Sequence, residues 1–234
     1  MSKVIIVVNA QVQGGKISAT APVAAKMASA LSKSVTSANS SNEIEILSGA
    51  DLWSRSIHLS EASDDLIYCP LTIKLPDWFH FPAQKVYYAC RDLEKRRRWV
   101  KHNFDYQTTH DNVWLGDLWL PLILTKEKLI YSSIIGEGMM PNDYQQPNSV
   151  PLEIYSRLKK LGSQLLDSIN AVPSVYLLQF KIVDHEIVFD RLWPFPATPA
   201  VASVNAQNPD LYSCHWRCLS GQTRDLKIQT TQVK

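Results

Sequence analysis

The stretch VYLLQFKI (175–182), VDH (183–185), EIVFDRL (186–192), WPFP (193–196) decides the fold. Two apolar, β-rich runs flank a short polar break, which predicts an antiparallel hairpin turning at Val183-Asp184-His185. Pro194, Pro196 and Pro199 then stiffen the exit. Upstream, Leu152, Tyr155, Leu158, Leu161, Leu165 and Ile169 recur every three or four residues. This predicts a helix over 152–169 with one apolar stripe, Ser149 as its N-cap and Pro151 in its first turn. Before it, the apolar runs 118–125 and 128–133 flank Lys126-Glu127 and predict a second hairpin. Pro121 assigns the first of those strands to an edge or a bulge, because proline has no N–H for a ladder. Between hairpin and helix, Gly136–Pro147 reads as a loop into which Glu137 and Asp143 bring carboxylates. Loops carried on rigid scaffolds often hold function.

Toward the N-terminus, Val4–Val8 is a continuous β-branched run, the mark of a strand buried on both faces of a parallel sheet. A polar turn at Gly14-Gly15, a helix over 19–31, a Ser/Asn-rich loop over 34–42 and strands at 43–47, 66–71 and 86–90 follow. The expected fold is α/β: a short parallel α/β segment, then an α+β region of two antiparallel hairpins and one long helix. The corresponding units are 1–90, 91–220, and a polar tail over 221–234 that is expected to fray.

Composition narrows the function classes. At 234 residues and 45% hydrophobic, the chain has enough apolar material for a full core, which excludes general disorder. A net charge of +2 excludes a molecule-wide electrostatic nucleic-acid binder. No apolar run reaches the length of a signal peptide or a membrane span, so no membrane insertion is expected. Four cysteines are too sparse for a disulfide scaffold and predict a reducing, cytoplasmic setting.

The order hairpin, loop, helix, hairpin, proline-rich exit resembles the carboxy-terminal lobe of ATP-grasp proteins. There a helix precedes a strand ending near Asp-Phe, and after a short turn a second strand ends in a Glu-x-Asn-Pro-like motif. Gln179-Phe180 and Asp190-Arg191-Leu192-Trp193-Pro194 stand in those places. Trp99-Val100-Lys101-His102-Asn103 is similar to the strand whose lysine reaches the nucleotide phosphates. The likeness spans about 85–200, and the opening α/β segment corresponds to the family's preceding domain. It implies an ATP-dependent ligase using ATP and Mg²⁺. Lys101 and Arg98 would hold phosphates as catalytic groups, Lys101, Glu137 and Arg191 would bind nucleotide, and Glu186 and Asp190 would bind metal. Strand alternation puts Glu186 and Asp190 on the face of Val188.

The chain departs from the family pattern in three places. Gln179 replaces a common Asp, and alignment on Pro194 puts Arg191 and Trp193 at the Mg²⁺-binding Glu and Asn. A hard cation wants carboxylate oxygens, which an arginine does not supply. The resemblance therefore implies either a ligase or a degenerate, non-catalytic relative. A protein-interaction or assembly scaffold is the first alternative. A nucleic-acid-associated factor using the basic stretch 91–102 is the second.

That stretch carries six cations against two carboxylates. It reads either as a site for an acidic or phosphate-bearing partner or as a solvated helix face. Cys214 and Cys218 form one pair where a structural zinc needs two, so no zinc is expected. His102, Asp105, His110 and Asp111 read as an acid–base or metal cluster, or as a polar loop. There is no Gly-x-Ser-x-Gly elbow and no complete phosphate-binding glycine loop.

Overall fold

The computed structural model describes residues 2–54, 66–109 and 115–230. Strand β1 (Lys3–Val8) leads into a two-strand ribbon, β2 (Val12–Gln13) and β3 (Lys16–Ile17). Gly14 and Gly15 turn that ribbon with φ of 55° and 76°, a region open to glycine at little steric cost. Helix α1 (Pro22–Ala38), strand β4 (Glu43–Ser48), helix α2 (Gly49–Ser54) and strand β5 (Leu66–Pro70) complete the first unit. Its sheet is parallel with order β4-β1-β5. The central strand is buried from Val4 to Val8, as its unbroken apolar run requires.

Helices α3 (Gln84–Arg91) and α4 (Leu93–Phe104) and the short strand β6 (Gln107–Thr108) follow. Strands β7 (Leu118–Leu124), β8 (Leu129–Tyr131), β9 (Ile134–Glu137) and β10 (Tyr144–Asn148) precede the long helix α5 (Leu152–Ser168). Then come β11 (Ser174–Val183), β12 (Glu186–Trp193), a 3₁₀ turn over Thr198–Ala202, α6 (Ser203–Ala206), β13 (Gln207–Asn208), α7 (Leu211–Leu219) and β14 (Gln229–Thr230). The large sheet has the order β10-β9-β7-β11-β12-β6, with β8 also on β7. Alternation along β11 sends Val175 and Leu177 into a core shared with the N-terminal sheet, α1 and α7. Tyr176, Leu178 and Phe180 enter a second core with α3, α4 and α5. Among the described residues no helix is long and apolar enough to cross a membrane.

Both predicted hairpins and the long helix are present, with Asp184 and His185 at positive φ in the β11–β12 turn. Several expectations need correction. Residues 86–90 are helical: Val86 and Cys90 lie one turn apart and are buried together, a pattern that a short apolar run does not distinguish from a strand. Helix α1 continues through Ser34 to Ala38. The Ser34 and Thr36 hydroxyls donate to the Ala30 and Ser32 carbonyls, and Val35 is fully buried. The 136–147 loop is mostly the β9–β10 hairpin.

Pro121 lies in an internal strand, neither at an edge nor in a bulge. Its carbonyl accepts from Ser132 N–H on the side where β7 changes partner from β8 to β9, so the missing N–H falls in that gap. Pro151, not Ser149, caps α5, and Leu152 points to solvent, so the buried stripe starts at Ile154. Of the tail expected to fray, the described part is held, since Leu226 is fully buried and β14 pairs with β13, and 231–234 lie outside the described residues. All four cysteines are free thiols and buried, Cys90 in the second core and the other three in the first.

Candidate functional site

A cleft of about 470 Å³ opens between the two sheets. One wall is the carboxyl end of the parallel sheet: Val8 at the end of β1 with Asn9 after it, and Leu71 to Lys74 after β5. Ligands of open α/β sheets collect at such ends. The facing wall comes from the large sheet, with Trp119, Gln179, Arg191 and Trp193, and Glu137 and Tyr144 of the β9–β10 hairpin close one side. Burial, and then the Glu137 carboxylate, push the Tyr144 phenol up to about 12, so it stays protonated.

The floor is built on a β-bulge. The register of β11 with β12 slips between Gln179 and Phe180, which leaves Asp190 as the extra residue. This interrupts the alternation that had grouped Asp190 with Glu186 and Val188. The Asp190 carboxylate is fully buried. Its Oδ1 accepts from Arg97 Nη2 at 2.9 Å, Arg191 Nε at 3.1 Å and Thr109 Oγ1 at 3.3 Å. Its Oδ2 accepts from Gly116 N–H at 2.9 Å, and its carbonyl accepts from Arg97 Nε at 3.1 Å. Gln179 Nε2 donates to the Gly116 carbonyl at 2.6 Å, and Trp193 Nε1 donates to Gln179 Oε1 at 2.8 Å. Glycine is required at 116, because a Cβ there would collide with the Phe180 backbone.

Two guanidinium groups thus share one carboxylate, with the Arg97 and Arg191 side chains 10% and 15% exposed. Among the described residues the cluster carries one net positive charge. Arg191 stacks over the Trp193 ring at 5.5 Å, and its buried Nη2 has no partner among the described residues. Trp119 Nε1, also at the cleft, is a second buried donor without one.

The residues expected from the sequence fall in three places. Glu137 and Arg191 line the cleft, and Asp190 is bonded to Arg191 beneath it. Glu186 is at the far end of β12, four residues and roughly 13 Å along the strand from Asp190. There it is half-exposed and accepts from Arg157 at 2.6 Å, and that bond holds its carboxyl below the usual range. Lys101 and Arg98 are exposed on α4, which is a helix where the resemblance implied a strand. His102 and Asp105 sit at the end of α4, and His110 and Asp111 lie outside the described residues.

These residues do not fit Mg²⁺. Both Asp190 oxygens are engaged, Glu186 is remote and paired, and Arg191 points a cation where a ligand is needed. Among the described residues no group of three His, Cys, Asp or Glu side chains is placed to hold a metal. Asn9, Thr72, Lys74 and Trp119 were not singled out in the sequence. The available signal was their place just after parallel strands, or two residues before the proline in β7.

Compared with solved structures, the chain is similar to glycinamide-RNase-transformylase T from Mycobacterium tuberculosis, with a TM-score of 0.64 at 12% identity over 94% of this chain and 79% of that one. It is similar to N5-carboxyaminoimidazole synthetase from Staphylococcus aureus complexed with ADP, with a TM-score of 0.66 at 8% identity over 98% and 80%. An ATP-grasp superfamily protein from Archaeoglobus fulgidus matches with a TM-score of 0.62 at 10% identity over 94% and 88%. The chain has an ATP-grasp fold. The sequence matches no protein-family model and no curated protein. The ATP-grasp likeness therefore rests on topology. It spans the N-terminal sheet as well as the carboxy-terminal lobe, further than the stretch 85–200 that carried the resemblance in sequence.

Proposed function

We propose that this ATP-grasp-like protein is a non-catalytic relative whose cleft binds an anionic small molecule without Mg²⁺. The observation that carries the reading is the excess guanidinium at the cleft floor: among the described residues Arg97 and Arg191 share only Asp190, and Arg191 Nη2 has no partner. A buried excess cation is costly unless an anion meets it. Lys74 and the Trp119 indole N–H add a cation and a donor on the same cleft. The Staphylococcus aureus neighbour is complexed with ADP, so ADP is the first probe.

The test is a thermal melt with ADP in EDTA and again with Mg²⁺. A ligand at 100 times its dissociation constant adds about 2.7 kcal/mol, which raises the melting point by roughly 5–10 °C in a chain of this size. The same rise is expected in both buffers, and Arg191→Met removes it. Mg²⁺-dependent turnover of ATP, or a melting shift that appears only with Mg²⁺, would overturn the reading.

A second reading concerns α4. Arg91 is paired with Asp77, and Arg96 and Arg97 are buried, while Lys95, Arg98 and Lys101 are exposed without an ion pair among the described residues. We assign that face an acidic or phosphate-bearing partner. Its affinity should fall steeply with salt and with Lys95→Gln plus Arg98→Gln.

A further inference from the structure

A second cavity, of about 250 Å³, lies on the other side of the Trp193–Phe195 segment. Its walls are the outer edge of β5 with Leu66, Ile67 and Tyr68, the Phe81 and Val172 segments, and α7 with His215 and Leu219. Strand β5 pairs only with β1 among the described residues, so this edge of the parallel sheet is covered by side chains rather than by another strand. The lining is mostly apolar, and most of its side-chain polar groups already have partners. Tyr87 Oη donates to the Pro70 carbonyl at 2.6 Å, and Ser174 Oγ donates to the Pro194 carbonyl at 3.1 Å.

His215 is the exception. It is 1% exposed, and its Nδ1 accepts from Val175 N–H at 3.4 Å and lies 3.2 Å from Ser174 Oγ. A neutral imidazole whose Nδ1 accepts must carry its proton on Nε2. Nε2 has no partner. Burial lowers the His215 pKa to about 3, so the ring is a neutral donor at physiological pH. Lys126, exposed on the β7–β8 turn, lines the same cavity and is its only charged lining residue among the described residues. The neighbouring Glu127 is turned to the Thr223 hydroxyl at 3.2 Å.

We propose that this cavity is a binding site for a small apolar monocarboxylate, with His215 Nε2–H as the buried donor and Lys126 as the counter-ion. Water alone suits the site poorly, since an ordered water needs two to four polar partners and the walls are largely hydrocarbon. The volume is just below the roughly 300–1,000 Å³ of drug-sized sites, which limits the occupant to a short chain or a single ring. The carboxylate follows from the described lining: one cation, one neutral donor and, among the described residues, no acidic side chain.

The experiment titrates the full chain with hexanoate, benzoate and hexanamide, by calorimetry and by ¹⁵N-detected spectra of the His215 ring. Hexanoate or benzoate should saturate at a dissociation constant near or below ~1 mM and shift the His215 Nε2 signal. Lys126→Gln should weaken the carboxylates about fivefold and leave hexanamide unchanged, because only the charged ligand loses a counter-ion. His215→Phe, which keeps the ring, should weaken both carboxylates and amide about tenfold through loss of the buried hydrogen bond. Leu219→Trp, which fills the cavity from α7, should abolish binding and keeps the test decisive if His215→Phe fails to fold.

Arg191→Met should leave hexanoate binding intact, which separates this site from the anion cleft. No saturable binding by wild-type protein, or binding that Lys126→Gln and Leu219→Trp leave untouched, would remove the proposal.

Discussion

On one side of β12 the polar groups around Asp190 close on themselves. On the other, the cleft around Arg191 leaves donors open. Asp190 accepts from four groups through its carboxylate and a fifth bond reaches its carbonyl. Among the described residues the side chain of the next residue in the chain is held only by Nε and by stacking on Trp193. The difference separates support from ligand recognition. A saturated carboxylate fixes the position of an arginine that lines the cleft, and the Nη2 of that arginine is left without a partner among the described residues. On the proposed reading, an ATP-grasp fold whose Asp190 is spent on arginines binds its ligand without metal-assisted chemistry.

The comparison breaks first if the floor is not structural. Asp190→Ala leaves Arg97 and Arg191 buried without an anion and should cost about 3–5 kcal/mol in denaturant melts. A loss below about 1 kcal/mol would mean that water reaches the network and that the floor is not closed.

The second cavity sharpens the contrast through pH. The His215 pKa is about 6.5 unfolded and lowered by burial to about 3 in the fold. Between those values the unfolded chain binds a proton that the native chain refuses. Stability is therefore complete above pH 6.5 and falls as pH drops, at up to ~1.4 kcal/mol per pH unit from this group. Comparing melts of wild type and His215→Phe from pH 7 to pH 4 isolates that slope, and identical slopes would show that His215 is solvated.

Arg191→Met should change stability by less than about 1 kcal/mol in either direction, since it removes both a hydrogen bond and an excess charge. It should nonetheless eliminate ADP binding. A large destabilisation would place Arg191 with the support rather than with recognition. The smallest effect belongs to Glu186→Gln: at a half-exposed pair, the denaturation midpoint should not move measurably at physiological salt. A clear loss would restore the remote end of β12 as part of the site.

Much of the architecture is legible because periodicity reports burial. The hairpins of 118–133 and 175–192 and the helix of 152–168 follow from patterns of two and of three or four residues. The short run 86–90 defeats that logic, being too brief to distinguish the two periods. The candidate site is legible only in part. Arg191 and Glu137 were found through resemblance and loop placement, whereas Asn9, Lys74 and Trp119 come together only when the two sheets face one another. The fate of Asp190 depends on a one-residue slip in register, for which Asp190-Arg191-Leu192 carries no local signature. Charge counting over 91–102 likewise missed that Arg96 and Arg97 are internal.

The four buried thiols give the molecule a built-in record of its own opening. Burial raises Cys69, Cys90 and Cys218 to about 12, and Cys214 is raised by the same cause. Alkylation requires a thiolate, so the folded chain should be nearly inert to iodoacetamide, and each exposed cysteine should become reactive only when its surroundings unfold. Cys69, Cys214 and Cys218 mark the core shared by the two sheets, and Cys90 marks the one beneath α5. The order in which mass spectrometry finds them labelled would therefore show which half of the protein lets go first.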